Sequence, residues 1–200
     1  MKNITVRAEG SVLCRSCFYT AWDGVLGDAP YIFSAGANKL IGEIDSGIWA
    51  ASYLLSMYKH QPKDFILHGR PEIELNGRFV SLETMSDICC YMDRLYPMFS
   101  GKSSVKTMVS RELKKSKSAL TPEEVAEMFQ IDSERFGRPI AGMGNEKFKA
   151  MAAVGFCAGK EIFCFPWMSK KRFDGYHRHL SWLVEKLPDL GKIVVLPIGL

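Results

Sequence analysis

The sequence predicts an α/β domain, because short apolar runs alternate with helical patterns along most of its length. The runs at 162–165 and 193–196 have the unbroken apolar character of strands inside a parallel sheet, and each is flanked by a helical stretch. With 200 residues, 47% hydrophobic and 24% charged, the chain can bury one sizeable core, so a single domain over residues 1–200 is expected.

The elements follow in order. Residues 25–33 mix apolar and turn residues, and Ser34 to Asn38 reads as a turn before the short strand Lys39-Leu40-Ile41, which ends at Gly42. After Gly47, residues 48–58 are apolar around most of the helical wheel, as in a helix buried on several sides. Residues 65–69 and 73–80 read as short strands joined by turns, a small antiparallel element. A further buried strand is expected at 88–92, closed by Leu95-Tyr96-Pro97.

From Val105 the pattern turns helical. Thr121-Pro122-Glu123-Glu124 is a helix start, with a threonine N-cap, proline at the first position and acids on the positive end of the dipole. A glycine-containing loop over 137–144 precedes a helix at 146–158, ended by Gly159-Lys160. A strand at 162–165, an amphipathic helix at 173–187 and a last strand at 193–196 complete the chain. Residues 96–150 stand out as a helical insertion.

Composition excludes several classes. Aromatic residues at 12% and a mean hydropathy of −0.04 exclude a disordered chain. No apolar run approaches the roughly 20 residues needed to span a bilayer, and the start of the chain becomes charged before any signal-peptide core, so a cytoplasmic location is expected. Net charge is +4, with basic clusters at 111–117 and at Lys170-Lys171-Arg172 that read as solvated helix ends, so nucleic acid is not an expected partner. Cys14 and Cys17 form one C-x-x-C pair without a second, too little for a structural zinc site, and Cys157 and Cys164 read as small core residues. His177 and His179 lie about 200° apart on an ideal helix and cannot share a metal ion. No metal is expected.

The strand, the loop Gly42-Glu43-Ile44-Asp45-Ser46-Gly47 and the following helix provide the context of a phosphate-binding loop, but the pattern G-x-x-x-x-G-K-[ST] needs lysine and a hydroxyl where Ile48 and Trp49 stand. Gly101-Lys102-Ser103 contains G-K-S but lacks both the upstream glycine and the leading strand, and reads as a loop. Further on, Ala141-Gly142-Met143-Gly144-Asn145 precedes a helix that leads to the segment from Gly159 through Phe165-Pro166-Trp167-Met168-Ser169. This order and spacing resemble the ATP-binding-cassette (ABC) family, in which an L-S-G-G-Q signature opens a helix leading into the Walker B strand and D-E-P-T-S.

The resemblance covers residues 20–198 and implies a P-loop NTPase-like fold. On its register, Gly144 and Asn145 fall on the last glycine and the glutamine of the signature, with Gly142 before them, and Ser169 falls on the final serine. Phe165 stands at the magnesium-linked aspartate, Pro166 at the catalytic glutamate, Asp93 near the Q-loop glutamine, and Pro197 or Ile198 at the switch histidine. None of Ile48, Phe165 and Pro166 can neutralise phosphate, coordinate metal or activate water.

The resemblance therefore implies a catalytically silent cassette-like subunit of a transport complex. Its partners would be a membrane-embedded transporter subunit or an intact ABC ATPase subunit, in a homodimer or heterodimer peripheral to the membrane. The alternative is a stand-alone binding or regulatory protein on a repurposed fold. No catalytic residue and no cofactor are expected. ATP held without hydrolysis is the weaker alternative, through Gly42, Ser46 and Gly47 with Tyr19 or Trp22 stacking on adenine, an ordinary core role for those aromatics remaining open.

Overall fold

The computed structural model describes residues 3–15, 24–27, 29–61, 65–94, 96–99 and 101–200; Cys17, Tyr19 and Trp22 lie outside them. The described chain opens with β1 (Asn3–Arg7), β2 (Val12–Arg15), β3 (Gly24–Val25) and β4 (Tyr31–Ser34), then β5 (Gly36–Ile41). Helix α1 (Ile48–Met57) leads to β6 (Phe65–His68), β7 (Glu72–Leu75) and β8 (Arg78–Val80). Helix α2 (Leu82–Ile88) and β9 (Cys89–Tyr91) precede α3 (Val105–Ser116), α4 (Pro122–Met128), α5 (Ser133–Phe136) and α6 (Lys147–Cys157). The last elements are β10 (Ile162–Cys164), α7 (Lys170–Asp189) and β11 (Ile193–Ile198).

The core is the parallel sheet β5-β11-β10-β9, three of whose strands lie far apart in sequence. Every residue of β10 and β11 is buried, as strands covered on both faces must be. Helix α1 packs on β9, β10 and β11, and α7 packs on β11 and β5. Helix α6 joins α3 to α7, and it approaches the sheet closely at Gly155, where an added Cβ would lie 2.9 Å from both Cys90 Sγ and Phe163 Cε1.

Two antiparallel sheets flank this core, β4-β1-β7-β8 and β3-β2-β6. Residues 65–80 therefore do not form the single antiparallel element expected from sequence. Strand β6 pairs with β2, whereas β7 and β8 form a two-residue hairpin on the other sheet, its turn made by Asn76 and Gly77 at φ 54° and 76°. The turn expected at 34–38 is also narrower. Only Ala35 separates β4 from β5, and Asn38, inside β5, binds the Ser34 amide and the carbonyls of Ser34, Gly36 and Val194 with its side chain.

The helical stretch follows its local signals. Ser104 caps α3, and Thr121 and Glu124 close a reciprocal capping box on α4. The Val105 amide donates to the Arg138 carbonyl at 2.9 Å, joining the start of α3 to the segment that leads into α6. Helices α2 and α5 were not expected from sequence, and α7 begins three residues earlier than its apolar periodicity suggests, because Ser169 caps it. No described helix is long and apolar enough to cross a membrane.

Candidate functional site

The loop between β5 and α1 is folded onto its own chain. The Gly42 amide donates to the Ile198 carbonyl at 3.0 Å, and the Gly42 carbonyl accepts from the Trp167 indole at 3.1 Å. Residues Ile44–Ser46 make one 3₁₀ turn, in which both the amide and the hydroxyl of Ser46 donate to the Glu43 carbonyl, at 3.1 and 2.6 Å. Gly47 then turns the chain at φ 76°, and an added Cβ there would lie 1.9 Å from the Val25 carbonyl oxygen, so only glycine fits. The polar groups of Gly42 and Ser46 that could face a phosphate thus already have intramolecular partners.

The two positions after Gly47 are apolar and packed. Ile48 is buried, and the Trp49 ring meets Tyr53 and Phe65 edge-on at 6.0 and 6.4 Å. Trp49 also closes on β3, where an added Cβ on Gly24 would approach its ring to 2.9 Å. Its indole N–H is buried with no partner among the described residues.

At the end of β10, Phe165 is fully buried, its amide donating to Val195 O at 2.8 Å and its carbonyl accepting from Ser52 Oγ at 2.6 Å. The strand β11 continues through Pro197 and Ile198 into the core rather than presenting either outward, and both are buried. Burial pushes the thiols of Cys89, Cys90 and Cys157 up, the last to about 12, so none of these is a ready thiolate nucleophile. Among the described residues no group of three or more His, Cys, Asp or Glu side chains is placed to hold a metal ion.

A cleft of about 500 Å³ opens where β9 and β10 end. Asp93 and Arg94 enter it after β9, Pro166 after β10, Gly144, Asn145, Lys147 and Phe148 from the start of α6, and Arg172 and Tyr176 from α7. The structure brings Gly144 and Asn145 together with Asp93 and Pro166, while Gly42, Ser46 and Gly47 contribute nothing to this cleft. Gly142 sits on an exposed 3₁₀ turn just before it. Arg94, Lys147 and Arg172 were missed by sequence reasoning; Arg172 belongs to the basic cluster read as a solvated helix end, which was the available signal.

No family model matches the chain, and no curated protein matches it. Among solved structures it is similar to a protein described as an ABC transporter ATP-binding protein from Pyrococcus furiosus, with a TM-score of 0.62 and 12% identity over 98% of this chain and 90% of that one. At that identity the likeness speaks to architecture alone: the chain is a mixed α/β protein with the fold of an ABC ATPase.

Proposed function

We propose that the chain is a catalytically silent, nucleotide-binding-domain-like subunit of a transport complex, acting through contacts with partners. The observation that carries this reading is the state of the loop 42–47. Its fold is that of an ATPase, yet the Gly42 carbonyl is held by Trp167, the Ser46 hydroxyl by Glu43, and the positions of lysine, aspartate and glutamate hold Ile48, Phe165 and Pro166. An internally bonded loop whose charged residues are Glu43 and Asp45 offers no positive charge to offset that of a triphosphate.

The partners on this reading are a membrane-embedded transporter subunit or an intact ABC ATPase, in a homodimer or heterodimer on the cytoplasmic face of a membrane. The Gly142, Gly144 and Asn145 segment is the part that would complete a partner's nucleotide site. Residual ATP binding through Gly42, Ser46 and Gly47 with Tyr19 or Trp22 is the weaker reading, since the Ser46 amide already donates to Glu43. The test is purification of the full chain under mild detergent from cells that make it naturally. Stoichiometric recovery of an intact cassette ATPase or a multi-span membrane protein supports the reading; recovery of the chain alone contradicts it.

A second reading, a stand-alone binding or regulatory protein, is favoured by the cleft at the ends of β9 and β10, which is built from concave apolar surface and charged rim together.

A further inference from the structure

We propose that the cleft at the ends of β9 and β10 binds a small organic anion, with a phosphate or carboxylate head and an apolar body. Its position is the first argument. In open parallel sheets the crevice beyond the carboxyl ends of the strands is where ligands sit, because loops there diverge and helix N-termini point inward. Helices α6 and α7, of 11 and 20 residues, both begin at this cleft, with Lys147 and Phe148 in the first turn of one and Arg172 in the first turn of the other.

Charge is the second argument. The lining carries Arg94, Lys147 and Arg172 against the single carboxylate Asp93, three positive charges less one negative, for a formal +2. Among the described residues, Arg94, Lys147 and Arg172 form no ion pair that would neutralise them. The Lys147 ammonium is positioned over the rings of Phe148 and Tyr176, 5.1 and 5.2 Å from their centroids, which holds the charge at the wall of the cleft.

Size and floor are the third. The volume falls inside the roughly 300–1,000 Å³ of small-molecule sites, and Ala141, Pro166 and Tyr176 bring accessible apolar surface to its walls above the buried Met92, Phe148 and Met151. A bare inorganic ion would leave those walls wet, whereas an organic anion covers them.

Calorimetric titration of the full chain with phenyl phosphate, benzoate and inorganic phosphate tests it. Saturable binding of phenyl phosphate or benzoate, tighter than inorganic phosphate, is expected, and the preferred head distinguishes a phosphate ester from a carboxylate. Arg94→Gln and Arg172→Gln should each weaken it about tenfold. Ala141→Trp, which fills the exposed mouth of the cleft, should abolish it, while the distant Lys39→Gln and Lys114→Gln should leave it unchanged. Matching thermal midpoints would show that the variants are folded. No saturable heat up to about 10 mM of either organic anion, or equal losses in the distant variants, would overturn the proposal.

Discussion

The indole of Trp167 donates a 3.1 Å hydrogen bond to the carbonyl of Gly42, tying the segment after β10 to the loop that follows β5 across 125 residues of sequence. The ring is held from behind as well: a Cβ on Gly199 would come within 2.9 Å of it. Together with the Gly42 amide's bond to Ile198 and the bonds of Ser46 to the Glu43 carbonyl, the Trp167 bond holds the 42–47 loop closed.

Trp167→Phe keeps much of the ring and removes the donor, leaving the half-buried Gly42 carbonyl to water or to nothing. A loss of about 1–2 kcal/mol in urea unfolding is expected, with no nucleotide binding gained. Unchanged stability would show that the contact is incidental.

Gly47→Ala places a methyl group against the Val25 carbonyl in a left-handed backbone, two penalties at once. It should cost about 3 kcal/mol or more. Gly10→Ala, also at positive φ but with open space around its Cβ, should cost only about 1 kcal/mol. Denaturant midpoints of the pair separate packing from backbone strain, and equal losses would remove the packing argument.

Phe165 occupies a fully buried position against Phe148, with ring centroids 5.7 Å apart. Phe165→Leu should cost about 1–2 kcal/mol, whereas Phe165→Asp buries an unpaired charge and should cost more than about 4 kcal/mol. Circular dichroism melting measures both. A stable aspartate variant would mean that the pocket is wetter and more adaptable than its packing indicates.

Alkaline pH should weaken the fold. The thiols of Cys89, Cys90 and Cys157 and the phenols of Tyr91 and Tyr96 are all raised by burial, so the unfolded chain releases these protons first, and the stability they carry is lost as pH rises above 9 for the thiols and above 10 for the phenols. Lys149 and Lys160, lowered by burial, act with the opposite sign below 10.5, but they are two groups against five. Cys157→Ala isolates one group. Between the ordinary thiol value of 9.0 and the folded value near 12, its unfolding free energy should fall less steeply with pH than that of the parent, by about 1.4 kcal/mol per pH unit. Parallel slopes would contradict the assignment.

What the sequence made legible was local chemistry. The Thr121 N-cap, the buried run of β10 and the Gly159 stop need only neighbouring residues to be understood, and each is present in the structure. Helix α2 was overlooked because its cap, Ser81, sits between two apolar stretches that read as strands. Strand β6 looked like a hairpin partner of β7 because they are adjacent; its actual partner, β2, lies about 50 residues earlier. The cleft was the least legible feature, since Arg94, Lys147 and Arg172 meet only through the order of the parallel sheet. The 42–47 loop was half legible: the absence of lysine could be read directly, but the bond from Trp167 could not.

On the proposed function, this chain does not turn over ATP. The most direct measurement is steady-state phosphate release from ATP and magnesium by the purified full chain, compared with a no-protein control and with a Phe165→Leu variant. Release indistinguishable from the control is predicted for both proteins. Release above the control by the parent chain, proportional to its concentration, would contradict the claim.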